Sequence, residues 1–209
     1  MRARKRVWIS TAAAAVMMLW AAGCEDGGGG LGDGHDFGVN NPAMHIALGD
    51  SITQSGYPAI LAAVLGKPVV NLGVGGSQSS LGASRIAGAL ARYKPGYVLI
   101  LYGANDVTSG QPFASTIANL RVMVQVSKAN RSIPVVATLT PMYGSHSLWA
   151  GAVIALNGEI RAMAASEGVT VADLERSFGY APHLFEPDGL HPTTAGQALI
   201  AQTFLSVLK

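Results

Sequence analysis

Four short blocks in a fixed order hold the side chains of this 209-residue chain that are suited to bond-breaking chemistry: Gly49-Asp50-Ser51-Ile52, Asn71 to Gly76, Gly103-Ala104-Asn105-Asp106 and Asp188-Gly189-Leu190-His191. A serine hydroxyl is a poor nucleophile at neutral pH, so it needs a base within hydrogen-bond reach and a third group to orient that base. His191 suits the base, because an unperturbed imidazole, with a pKa of about 6.5, accepts and returns a proton near neutrality. Asp188, one turn earlier in the chain, can hold the other ring nitrogen and stabilise the imidazolium. Attack by Ser51 on a carbonyl leaves a negative oxygen, and each preorganised donor aimed at such an oxygen contributes about 3 to 4 kcal/mol. The candidate donors are the backbone N–H of Ser51, the backbone N–H of Gly76 and the side-chain amide of Asn105. Gly73, Gly75 and Gly76 crowd one loop, so the glycine donor is open to within a residue or so. Glycine permits the unusual dihedrals and close approach that such a loop requires.

These blocks need a scaffold that brings them together. The apolar runs Met44 to Leu48, Pro68 to Leu72, Tyr97 to Tyr102, Ile133 to Leu139 and Val169 to Ala172 have strand length and mostly lack alternation, as expected for strands covered on both faces. Between and after them lie helical stretches: Tyr57 to Leu65, Leu81 to Arg92, Phe113 to Ala129, Trp149 to Glu167 and Thr193 to Leu208. Strand alternating with helix predicts a five-stranded parallel sheet with helices on both sides. Ser51 then follows the first strand, Gly73 to Gly76 the second and Asn105 the third, at the carboxyl edge where open α/β sheets bind ligands. Asp188 and His191 precede the last helix, in a loop able to fold back over that edge.

With these residues the chain resembles the SGNH (GDSL) hydrolases, esterases and lipases named for Ser, Gly, Asn and His in four blocks. The resemblance covers nearly everything after residue 41. It implies a flavodoxin-like, three-layer αβα fold and ester hydrolysis through an acyl-enzyme, with no cofactor and no metal. It assigns Ser51 as nucleophile, Gly76 and Asn105 to the oxyanion hole, and Asp188 and His191 as the acid/base pair. The stretch from Ser51 to Pro58 is short for the family, which implies an open cleft with little wall for a long acyl chain. A small acyl ester is the expected substrate, in the manner of a lipase, lysophospholipase, thioesterase or carbohydrate O-acetyl esterase. The alternative is a surface-tethered binding module that keeps the fold without turnover.

Taken singly, each block has a plainer use. Ser51 suits a helix cap, and Asn105-Asp106 and Asp188-Gly189 suit turns; only the ordered set points to chemistry. The glycine loop fails as a nucleotide site, since the sixth position of its GxGxxG-like run is Gln78 and no Gly-Lys-Ser/Thr ending follows. His35, His45, His146 and His183 have no metal-ligand spacing and read as surface or packing residues. His146 and Trp149 follow the fourth strand and are candidates to line the cleft.

Composition bounds the rest. At 49% hydrophobic and 12% charged residues, the chain suits one folded domain. Four of its 14 basic residues, Arg2, Arg4, Lys5 and Arg6, precede every acidic residue, and without them ten basic face twelve acidic, a net of −2. The basic pI therefore gives no support to nucleic-acid binding. The basic start and the apolar run Val7 to Ala22, a run short for a membrane span of roughly 20 residues, read as an export signal over residues 1–23. It ends at Cys24, the single cysteine, in a context that resembles a bacterial lipoprotein signal except that Ala21 stands where a large aliphatic residue is usual. Lipidation of Cys24, ordinary signal cleavage and an uncleaved anchor stay open, and all three place the domain outside the cytoplasm: in the periplasm or cell envelope, or secreted. Any membrane contact is expected through this terminus alone. Residues 24–41, with seven glycines and four acids after Cys24, read as a flexible tether with a reach of roughly 23 Å, and residues 42–209 as the hydrolase domain. Oligomeric state is not legible.

Overall fold

Five apolar segments form strands in the computed structural model, which describes residues 34–208: β1 (Asn41–Gly49), β2 (Val69–Gly73), β3 (Pro95–Leu101), β4 (Ile133–Ala137) and β5 (Thr170–Ala172). All pair in parallel, in the order β2-β1-β3-β4-β5. Central β3 is buried along its whole length, and Val98, Leu99 and Ile100 are fully so. That explains its unbroken apolar sequence, since each such side chain contributes about 1.5 to 3 kcal/mol when covered from both faces.

Among the described residues, eight α-helices connect and cover the strands: α1 (Ser51–Gln54), α2 (Tyr57–Leu65), α3 (Ser79–Tyr93), α4 (Ala104–Thr108), α5 (Phe113–Ala129), α6 (Ala150–Glu167), α7 (Leu174–Phe178) and α8 (Thr194–Leu208). Helix α2 packs on α8, where Tyr57 and Phe204 stack with centroids 5.2 Å apart, whereas α3 packs on α5 and α5 on α6. Right-handed crossovers put α2 and α8 on one face and α3, α5 and α6 on the other. The three-layer αβα arrangement is the expected one. Among the described residues no helix is long and apolar enough to cross a membrane.

The topology fixes where a site can form. The chain leaves β1 for β2 in one direction and then crosses back to β3, so the switch point lies between β1 and β3, beside the sheet's carboxyl edge. Gly49 is in register with both Gly73 and Leu101, so β1, β2 and β3 end at one level. Ser51, the glycine loop and Asn105 therefore start from the same height.

Departures from the sequence expectation have local causes. Strand β4 ends at Ala137 rather than Leu139 because the Asn157 side chain, from α6, takes over both backbone groups of Leu139: Oδ1 accepts from its N–H (2.7 Å) and Nδ2 donates to its carbonyl (3.1 Å). Helices α1, α4 and α7, of four or five residues, are too short to show a helical period. A 3-10 turn over Gly144–Trp149 precedes α6. Packed chain also begins ahead of the expected start at Pro42. Asp36 pairs with Arg131 (2.7 Å), Phe37 lies against Tyr97 (5.8 Å between centroids) and Asn40 is buried. The expected export signal, Cys24 and the first part of the tether lie outside the described residues.

Candidate active site

Ser51 opens α1 directly beyond β1. The turn between them has room for no side chain at Gly49, where a Cβ would overlap Thr53 Oγ1 and the Leu101 carbonyl. Asp50 is the N-cap: its Oδ1 accepts from the Ile52 N–H at 2.9 Å. The carboxyl group is almost wholly buried, and that burial pushes its pKa up to about 6 against the opposing pull of the Ile52 N–H and His191.

So short a helix does not hold itself in place. Asn71 Nδ2 donates to the carbonyls of Thr53 (3.0 Å) and Gln54 (3.2 Å), tying the end of α1 to β2. From α8, buried Gln197 donates through Nε2 to the Ile52 carbonyl (3.2 Å) and accepts at Oε1 from the Tyr57 N–H (2.9 Å). Sequence reasoning quoted Asn71 only as the start of a block and missed Gln197, since an amide's use depends on partners far along the chain.

His191 comes to Ser51 from 140 residues away. Ser51 Oγ and His191 Nε2 are 3.0 Å apart, and His191 Nδ1 lies 2.6 Å from Asp188 Oδ2. The other carboxylate oxygen, Oδ1, accepts from the N–H groups of Leu190 (2.9 Å) and His191 (3.0 Å). Partial burial works to raise the Asp188 pKa, but the His191 hydrogen bond and those two backbone donors outweigh it and bring the value to about 2. The group is thus a carboxylate at any ordinary pH. Facing it, Nδ1 carries the ring proton and Nε2 is the lone-pair nitrogen turned to the serine hydroxyl. A bridge between Phe185 and Pro192, and a 2.7 Å bond from the Glu186 N–H to the His191 carbonyl, close the loop that presents the ring.

The remaining blocks surround the same point. The Val74 N–H donates to the Gly49 carbonyl at 3.0 Å, which draws the glycine loop over the end of β1. Gly76 has a φ of +71°, a left-handed conformation that favours glycine. At Gly75, a Cβ would lie 2.8 Å from Gln54 Oε1 and 4.0 Å from Ser51 Cβ. Among the described residues, the N–H groups of Ser51, Gly75 and Gly76 find no acceptor, so donors stand free beside the serine. Asn105 Nδ2 donates to the Ser77 carbonyl (3.0 Å) and makes a longer contact with Asp50 Oδ2 (3.3 Å).

Asp106, inside the third block, has a bracing role that the sequence did not disclose. Its buried carboxylate accepts from the Ser79 N–H (2.9 Å), Ser79 Oγ (2.5 Å) and Thr116 Oγ1 (3.2 Å). Helix α3, whose N-cap Gln78 makes no side-chain cap bond, is capped from another element, and the second block is fastened to the third.

Among the described residues, the other histidines take no part in the side-chain contacts from Ser51 to His191 to Asp188. Buried His45 stacks on Tyr97 (4.7 Å), and burial lowers its pKa; His35 contacts the Arg131 carbonyl (3.2 Å). His146 reaches the Asp188 carbonyl, and its ring lies 5.4 Å from that of Trp149. A cavity of about 270 Å³ adjoins His191, lined by Ser55, Ile60, Glu186, Pro192, Thr194 and Gln197.

Known proteins share the family and the fold. Residues 47–199 match the model of the GDSL-like lipase/acylhydrolase family. Esterase TesA of Pseudomonas aeruginosa is 29% identical over 179 residues, which cover 78% of this chain and 87% of TesA. A GDSL-like lipase of Bacteroides thetaiotaomicron shares the fold, with a TM-score of 0.71 at 18% identity over 79% of this chain and 87% of its own. A carbohydrate esterase family 3 protein of Talaromyces cellulolyticus shares it too, with a TM-score of 0.64 at 23% identity over 77% and 93%. An αβα domain whose four blocks meet at one sheet edge, and whose sequence matches that family model over most of its length, belongs to the GDSL-like lipase/acylhydrolase family and is a hydrolase of carboxylic esters.

Proposed function

We propose that the protein is an exported serine esterase that cleaves small acyl esters through Ser51, His191 and Asp188. The observation that carries this reading is the run of contacts from Ser51 Oγ to His191 Nε2 (3.0 Å) and from His191 Nδ1 to Asp188 Oδ2 (2.6 Å). Ser51 Oγ attacks the ester carbonyl carbon while His191 Nε2 takes the hydroxyl proton, and Asp188 stabilises the imidazolium. The carbonyl electron pair moves onto oxygen, where the N–H groups of Ser51 and Gly76 and the Asn105 amide receive it. The amide hydrogen that turns to the oxyanion is the one on the long 3.3 Å contact with Asp50. Collapse of the intermediate expels the alcohol, which leaves with the proton from His191, and the acyl group stays on Ser51. Water then attacks the acyl-enzyme, His191 takes its proton, and the carboxylic acid departs as that proton returns to Ser51 Oγ.

One feature favours a small ester: the stretch between Ser51 and Pro58 is short, which leaves an open cleft with little wall for a long acyl chain. Small O-acyl groups on hydroxylated molecules, carbohydrate O-acetyl groups among them, suit such a site better than long-chain lipids. Export rests on the basic and apolar start of the sequence, with residues 1–23 as signal, Cys24 as lipid acceptor, a short glycine-rich tether behind it and the hydrolase domain running to residue 209. Hydrolysis of p-nitrophenyl esters from acetate to palmitate tests the reading. Wild type should turn over the short esters fastest and Ser51→Ala none. Absence of turnover on every chain length, or equal turnover by Ser51→Ala, contradicts it.

A further inference from the structure

The backbone that carries Asp188 is held from outside its own loop. His146 Nδ1 lies 2.7 Å from the Asp188 carbonyl oxygen, and Ser145 Oγ–H donates to the same oxygen at 3.0 Å. Because a carbonyl can only accept, His146 Nδ1 bears the proton, and the two donors occupy both lone pairs of that oxygen. Next along the loop, the Tyr143 N–H donates to the Gly189 carbonyl at 2.8 Å. At Gly189, with a φ of +72°, a Cβ would overlap the Tyr143 carbonyl. The segment Tyr143 to His146 beyond β4 thus lies directly against Asp188 and Gly189.

The consequence reaches the Asp188 side chain. Its carboxylate is tied through Oδ1 to the N–H groups of Leu190 and His191 and through Oδ2 to the imidazole, all within the same loop. Those bonds set the carboxylate against the ring, but they do not set the loop against the rest of the protein. A carbonyl held by two side-chain donors fixes the peptide plane from which the carboxylate projects. Half-buried His146 keeps its place through the ring of Trp149, 5.4 Å away in the same 3-10 turn.

We infer that His146 is a positioning residue for the Asp188–His191 pair, fixing the Asp188 peptide through its Nδ1–H with Ser145 as the second donor. The inference rests on the proposed roles of Ser51, His191 and Asp188. His146 touches neither Ser51 nor any reacting atom, and its effect passes through the carboxylate to the ring that activates the serine.

Two substitutions separate a held carbonyl from mere filling of space. His146→Phe keeps an aromatic ring beside Trp149 and removes the donor, whereas His146→Asn places an amide N–H near the position of Nδ1. In full-length protein, His146→Phe should lower kcat about tenfold with KM within about twofold, because the loss is one of alignment and not of binding. The acid limb of its pH–rate profile should move to lower pH, since a loosened carboxylate stabilises the imidazolium less. His146→Asn should restore both. Proton NMR of the His191 Nδ1–H gives a readout that needs no turnover: the signal should broaden through faster exchange in His146→Phe and return in His146→Asn. An unchanged signal and unchanged kcat in His146→Phe would overturn the inference, as would His146→Asn being as impaired as His146→Phe. If wild type hydrolyses no ester while the NMR signal responds as expected, the proposed function fails and the positioning role of His146 stands.

Discussion

Asp188 Oδ2 lies 2.6 Å from His191 Nδ1, while Asp188 Oδ1 takes the backbone N–H groups of Leu190 and His191 itself. One carboxylate thus fixes both the tautomer of the ring and the turn that carries it. Asp188→Asn should keep the turn but present an amide N–H or a neutral oxygen to Nδ1, losing the imidazolium's counter-charge. We expect kcat/KM to fall by about 10⁴-fold, with a modest fall in thermal midpoint as the ionised carboxylate's contribution to the fold is lost. Steady-state kinetics on a p-nitrophenyl ester, beside a thermal melt, measures both.

The same carboxylate sets a pH expectation. Its pKa is depressed to about 2 from an ordinary carboxylate value, so its stabilising contribution is present above about pH 4 and is lost only as pH falls toward 2. Loss of activity at milder acidity must then come from a group other than Asp188, whereas a pH–rate profile with its only acid limb near pH 2 would assign the loss to Asp188 itself.

Asp50 titrates in the opposite sense. Burial raises its pKa to about 6, so the folded state holds a proton that the unfolded chain releases, and stability falls as pH rises from about 4 to 6. A shift of that size corresponds to about 3 kcal/mol. Buried His45, whose pKa is lowered, works against it in part of the same range, so the comparison must be with a variant. Urea denaturation of wild type and Asp50→Asn across that range should show the variant gaining about 3 kcal/mol relative to wild type by pH 7. A difference that does not change with pH would show that Asp50 is not the titrating group.

Asn105 makes a 3.0 Å bond to the Ser77 carbonyl and a looser one to Asp50, which leaves one amide hydrogen exchangeable for an oxyanion. Asn105→Ala should lower kcat by about 10²- to 10³-fold with KM little altered, the pattern for a donor engaged only in the transition state. A rise in KM with kcat unchanged would assign Asn105 to substrate binding instead.

Gln197 joins α8 to both ends of the turn between α1 and α2, and it is buried. Gln197→Leu should cost about 1 to 3 kcal/mol by leaving the Tyr57 N–H and the Ile52 carbonyl without their partner. The loss should show as a lower urea midpoint.

Much of this was legible in the sequence because its long elements are strongly patterned. Helices Tyr57–Leu65 and Phe113–Ala129 have the expected bounds, and all five strands lie within the expected apolar runs or overlap them closely. Ser51, Gly76, Asn105, Asp188 and His191 all fall at one sheet edge because each block directly follows a strand or precedes the final helix. What escaped was bracing. Asp50 and Asp106 stood in plain view inside the quoted blocks, yet nothing local says that one is buried beneath Asn105 or that the other caps α3 through Ser79. Asn71, Gln197 and His146 act on partners 17 to 145 residues away, and periodicity and spacing carry no information at that range. The docking of Phe37 on Tyr97, inside the stretch expected as a tether, escaped for a related reason, since 59 positions lie between them.

The central claim is that Ser51 is a nucleophile activated by His191. Intact-protein mass spectrometry after treatment with a fluorophosphonate tests it most directly. Folded wild type should gain one phosphonyl adduct, mapped to Ser51 by peptide digestion, while Ser51→Ala gains none and His191→Ala gains it far more slowly. Folded wild type that stays unmodified, or Ser51→Ala that is labelled as fast as wild type, would contradict the account.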